Sequence, residues 1–208
     1  MDLVKIKQVA FDEIAGKMSW RKEKSEKYYH GERVAKLALT LREYILDNSE
    51  HDDIIKVAAW FHDCMHGTDN HGLDGAERAK ELLAEHCSEY EMREIYDIIY
   101  RHDDRLSDRN EFSVYAKIQQ DADFLDHFGT REIWAHFLIA GHSAKSIGEM
   151  LEELKEWRKW HEELLTRVEN EYNFDISKKI IREKLDFTRL FFERFSVEGT
   201  GGIWDEKL

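Results

Sequence analysis

The sequence predicts an all-α fold. Apolar residues recur at three- and four-residue spacings along most of the chain, and no convincing pair of alternating strands appears. The 208 residues also include no proline, the strongest helix breaker, so Gly, Asp, Asn and Ser must punctuate the loops and long helices are favoured. The length suits a single domain spanning 1–208, with a motif-bearing core at about 25–130 and further C-terminal helices at about 131–196.

Taken in order, residues 3–18 are weakly periodic through Val4, Val9, Phe11 and Ile14 and predict an opening helix. From Ser25 a stronger helix carries Val34, Leu37, Ala38, Leu41 and Ile45 on one face. His30 lies four residues before Val34 at the start of that face, and Arg33 flanks it one turn on. Ser49-Glu50-His51-Asp52 has capping-box spacing and is expected to open the next helix. That helix, Ile54 to Phe61, is apolar in nearly every direction, the mark of burial on all sides, and it ends in His62-Asp63. Gly67 to Gly72 reads as a loop, with Asp74-Gly75-Ala76-Glu77 capping a helix through Ala79, Leu82 and Leu83. A second capping box, Ser88 to Glu91, precedes a stripe of Met92, Ile95, Ile98 and Ile99, with His102 at its end. After a polar loop at 103–112, a helix at about 113–128 contains Asp121-Ala122-Asp123-Phe124-Leu125-Asp126. Two long amphipathic helices close the chain at 146–172 and 176–195. The aromatic residues Trp157, Trp160, Phe191 and Phe192 form a core or a homodimer face, and the tail from Val197 is Gly-rich.

Composition narrows the function. A net charge of −13 lacks the basic footprint of a nucleic-acid binder and is repelled by anionic membranes. A small anionic substrate is compatible if the site itself is positive, which a bound cation provides. Two cysteines, Cys64 and Cys87, make no disulfide framework and point to a reducing, cytoplasmic setting. The opening Met1-Asp2-Leu3-Val4-Lys5 is not a secretion signal, and no apolar run reaches the roughly 18 residues a membrane helix needs.

Singly, His30, His62 and His102 each read as a hydrogen-bonded core histidine. Together, three histidines on inward faces with an Asp beside one of them need a common explanation, because imidazole nitrogens require partners when buried. A divalent metal supplies it; neutral imidazole with carboxylate suits Zn, Mn, Fe or Ni, and leaves positions for water. Cys64 and the Glu/Lys-rich face at 149–163 read as packing and solvated surface.

His30-Gly31-Glu32-Arg33-Val34, then Ala58-Ala59-Trp60-Phe61-His62-Asp63, then Ala116 to Asp126 followed by Gly129, resemble in order the motifs of the HD superfamily of metal-dependent phosphohydrolases. The resemblance spans about residues 25–130 and implies a helical bundle with His30, His62, Asp63 and one Asp of the last motif as metal ligands. Helical arithmetic puts Asp121 in the stripe of Val114, Ile118 and Leu125; the family pattern puts the ligand at Asp123, and we follow the family. Asp63 then both binds metal and orients or deprotonates water, with Arg33, His71 and His102 binding substrate phosphate or, for His71 and His102, a second metal. One divalent ion (Mn, Zn, Fe, Ni or Mg) is expected, with room for a second. His66, His86, His127, His142 and His161 read as surface or packing residues. Three functions follow: hydrolysis of a small phosphoester, a nucleotide or a related phosphate; a di-iron oxygenase of the same fold; and a non-catalytic helical sensor with a structural metal.

Overall fold

The structure, a computed structural model, describes residues 1–17, 23–104 and 107–205. Among the described residues it is entirely helical apart from one isolated bridge between His66 and Thr68, and none of its helices is long and apolar enough to cross a membrane. The chain forms two compact units, Met1–Asp126 and His127–Leu208.

The first unit holds α1 (Leu3–Ile14), α2 (Glu26–Ile45), α3 (Asp52–Phe61), α4 (His71–Leu83), α5 (Glu89–Arg101), a 3₁₀ turn (Arg109–Glu111) and α6 (Val114–Asp126). α3 lies at its centre against α1, α2, α4, α5 and α6. Ile54, Ile55, Val57, Ala58, Ala59, Trp60 and Phe61 are all buried, as an all-round apolar helix requires. The inward stripe of α2 supplies Val34, Ala38 and Leu41, α5 supplies Ile95, Ile98 and Ile99, and α6 supplies Ile118, Ala122 and Leu125.

Local signals did not all act as the spacing predicts. The Ser88–Glu91 capping box forms, with both reciprocal bonds. The one expected at Ser49 does not; His51 occupies the cap position without a side-chain bond. α4 begins at His71, three residues before the expected Asp74 start, so His71 belongs to the helix and not to the loop. α1 ends at Ile14, earlier than expected.

The second unit is a three-helix assembly of α7 (Thr130–His142), α8 (Ile147–Glu171) and α9 (Asp175–Gly199). α9 packs on both α7 and α8. Its core is Met150, Leu154 and Phe192, wrapped by Ile133, Leu151, Trp157, Phe191 and Phe195. Ser146 opens α8 with a full capping box. α7 has no counterpart in the periodicity analysis: only Glu132 and Ala135 are buried along it, so its apolar residues trace no single inward stripe. α9 continues four residues past the expected end at 195.

Candidate metal centre

Three helices bring the site together. α2 carries Lys27, His30 and Arg33; the end of α3 carries His62 and Asp63; α6 carries Asp123 and Asp126. The approach of α2 to α3 depends on Gly31. A Cβ there would lie 2.9 Å from the Ala59 carbonyl oxygen and 3.2 Å from Trp60 Cα, so only a bare backbone lets His30 reach His62.

His30 Nε2 is 3.2 Å from His62 Nε2 and 3.0 Å from Asp123 Oδ1. Asp123 Oδ1 is 3.5 Å from His62 Nε2. The Asp63 oxygens lie at 3.9 Å from His30 Nε2 and 4.0 Å from His62 Nε2. Donor atoms of His30, His62 and Asp63 therefore gather within 4.8 Å of one another, as do those of His62, His102 and Asp123. Asp121 is fully buried but belongs to no such group among the described residues, whereas Asp123 does.

Each imidazole is oriented through its other nitrogen. His62 Nδ1 donates to the Ala59 carbonyl at 2.8 Å and His102 Nδ1 to the Ile99 carbonyl at 2.6 Å. A carbonyl only accepts, so both rings carry their proton on Nδ1 and keep the Nε2 lone pair available. His30 Nδ1 donates to Asp126 Oδ2 at 2.8 Å, and Arg33 grips Asp126 through Nε at 2.9 Å and Nη2 at 2.8 Å. The Arg33 guanidinium is thus engaged in holding the carboxylate that holds His30. A carboxylate or carbonyl behind each ring is the support that metal-binding histidines require.

The electrostatics agree with a cation at the focus. Burial by itself lowers the pKa of His30, but the Asp123 and Asp126 carboxylates on its two nitrogens outweigh that and push it up to about 9. Burial raises Asp123, yet the hydrogen bonds from His30 and His62 carry it well below the usual carboxylate range. Asp63 is likewise raised by burial and lowered further by His62, His66 and Lys27, ending well below its ordinary value. A positive charge is what this set of groups stabilises. A divalent metal would displace the proton that His30 Nε2 shares with Asp123, and two imidazole nitrogens with two carboxylates suit such an ion.

His102 sits beside the focus, its ring centroid 5.0 Å from that of His62, and His71 is 5.0 Å beyond it. Burial, then the neighbouring His62, lowers His102 to about 4, so it is neutral at pH 7. His71 Nδ1 lies 3.2 Å from Asp103 Oδ2, and Gly72 admits this packing, since a Cβ there would meet the Tyr100 carbonyl at 2.9 Å. Asp63, His71 and His102 form a further group of convergent donors.

Periodicity and motif left out three participants. Lys27 Nζ bonds Asp63 Oδ2 at 2.7 Å; it shares the α2 face of His30, which its three-residue spacing would have shown. His66 Nδ1 stands 3.3 Å from Asp63 Oδ1, so it is not merely a surface residue. Asp126 lies in the last motif, and its role, holding His30 Nδ1 under the grip of Arg33, shows only in the structure.

Residues 28–127 match the family model of the HD domain. These residues therefore carry an HD domain. Solved structures share the fold along most of the chain. Bacillus subtilis YpgQ, solved in complex with ADP, is 18% identical, with a TM-score of 0.61 and 94% of each chain covered. An HD-superfamily hydrolase from Bacillus thuringiensis is 22% identical with a TM-score of 0.67, covering 95% of this chain and 96% of its own. A predicted HD-superfamily hydrolase from an uncultured Thermotogales bacterium is 21% identical with a TM-score of 0.62, covering 94% and 92%. No curated protein sequence matches the chain.

Proposed function

We propose that the protein is a metal-dependent phosphohydrolase acting on a small phosphoester, a nucleotide or a related phosphate. The observation that carries this reading is the convergence of His30, His62, Asp63 and Asp123, each ring held from behind so that its Nε2 faces one point. The ADP bound by YpgQ supports a nucleotide as the first class to try. The protein's acidity supports a small ligand over a long nucleic acid, and its two free thiols fit the reducing cytoplasm.

A divalent ion there acidifies a bound water and offsets phosphoryl charge. The protein's own part is orientation. Asp126, fixed by Arg33, turns the His30 ring, and the Ala59 carbonyl fixes that of His62. Asp63 stays ionised between Lys27 and His66, ready to bind metal and to accept a proton from the attacking water. His71 flanks the focus and binds substrate phosphate, while neutral His102, with its proton on Nδ1, has a lone pair to offer a cation or a donor. Phosphate release from a panel of nucleoside mono-, di- and triphosphates, assayed with Mn, Co, Ni and Mg, tests the reading. Turnover should need metal and vanish in Asp63→Ala; undiminished turnover in that variant would sink the proposal.

A further inference from the structure

α6 carries two adjacent glutamines, Gln119 and Gln120, both fully buried. Gln119 has no partner for either polar atom of its side chain among the described residues. Gln120 reaches the end of α5, where its Nε2 donates to the Arg101 carbonyl at 2.7 Å and to the Asp104 carbonyl at 3.0 Å. A carbonyl only accepts, so the amide presents its NH2 here, with one hydrogen for each oxygen. Both carbonyls lie at or just past the end of α5, where a helix's own bonds run out. The residues between them are His102 and Asp103. His102 is held a second time, through Nδ1 on the Ile99 carbonyl, and Asp103 sets an oxygen 3.2 Å from His71 Nδ1. This segment sits tightly on α4, since a Cβ at Gly72 would lie 2.6 Å from Asp103 Oδ1.

We propose that Gln120 is a positioning residue of the site. It fixes the end of α5 so that His102, and through Asp103 also His71, face the focus. Asp123 stands three residues further along the same helix, and its donor atom gathers with those of His62 and His102 within 4.8 Å. Clamp and ligand therefore share one rigid element. The distance from Asp123 to His102 is set by α6 and not by the polar loop that follows α5. What the two histidines do rests on the function proposed above; how they are held does not. His30 and His62 are oriented independently, by Asp126 and by the Ala59 carbonyl, so the clamp governs one side of the site only.

The test compares Gln120→Met, which keeps the length of the side chain and loses both donors, with Gln119→Met on the same helix. Imidazole nitrogen NMR of the full, metal-free chain reads the tautomer of each ring. In wild type His102 should carry its proton on Nδ1 alone. In Gln120→Met the His102 signal should become a mixture of tautomers and that of His71 should shift, while His62 and His161 stay in place. Gln119→Met should move none of the four. With Mn bound, inorganic phosphate should bind Gln120→Met about tenfold more weakly in calorimetric titration, with Mn affinity unchanged. Circular dichroism checks folding, and Gln120→Leu takes the place of Gln120→Met if that variant is unfolded. Unmoved His102 and His71 signals in the folded variant overturn the proposal. So does an equal movement in Gln119→Met, or one that includes His62 and His161, since either reduces Gln120 to packing. A wild-type chain that binds neither Mn nor phosphate overturns the proposed function instead, and the metal-free spectra still decide the role of Gln120.

Discussion

His62 and His161 are each 1% exposed, yet they are buried in different company. His62 belongs to the first unit, where Nδ1 is bonded to a carbonyl and Nε2 faces His30 and Asp123. His161 belongs to the second, where its ring lies 4.5 Å from that of Trp157 and its Nε2 has no hydrogen-bond partner among the described residues. Ser177 in the same unit also keeps a buried hydroxyl without one. The buried groups around His62 are tied in pairs and aimed at one point, whereas Gln119 in the same unit, like His161 and Ser177, is buried with no partner for its side chain among the described residues. Burial of a histidine alone therefore says little. What distinguishes a ligand is a fixed proton on one nitrogen and other donors gathered at the opposite one.

That contrast can be broken from either side. The largest stability effect is expected at the centre of the second unit. Phe192→Ala removes a ring packed on Trp157, His136 and Phe191, and should cost about 3–5 kcal/mol in chemical unfolding. A loss under about 1 kcal/mol would show that this core is loosely packed. In the first unit, Asp126→Asn keeps the shape but weakens the hold on His30, and should lower divalent-ion affinity about 10–100-fold by titration. An unchanged affinity would mean that the paired arrangement is packing and not ligand support.

Gly31→Val forces α2 away from the Ala59 carbonyl. It should destabilise the protein by about 1–3 kcal/mol in thermal unfolding and weaken divalent-ion binding with it.

The smallest effect sharpens the comparison through pH. Burial, then Arg189, lowers His161 to about 4. Above its ordinary value of 6.5 the ring is neutral folded or unfolded. As pH falls below 6.5, the unfolded chain takes up a proton that the folded chain resists, so stability declines until about pH 4 and then levels. His161→Phe should flatten part of that decline in melting temperatures measured from pH 7 to pH 4. An unaltered pH profile would place the acid sensitivity elsewhere, with His102 the next residue of the same sign.

Helices were the legible part of the fold. α2, α3, α6, α8 and α9 follow from periodicity, and α5 from periodicity and its cap, because both act over three or four residues. α7 did not follow, since most of its apolar residues are only partly covered. At the site, the ordered motifs singled out His30, His62, Asp63 and Asp123 as residue types and positions. The choice of Asp123 over Asp121 came from the family pattern; the stripe calculation favoured Asp121, because it treats α6 as buried on one side when it is covered on several.

What the sequence determined by itself was therefore local: helix positions, a helix buried all round, and which residues could bind a metal. Tertiary structure alone decided how those residues are supported. Lys27 meets Asp63 across 36 positions of chain, and His30 meets Asp126 across 96. No periodic signal reaches that far. Such pairs exist only once α2, α3 and α6 cross, and the closeness of the first crossing is set by one missing Cβ at Gly31.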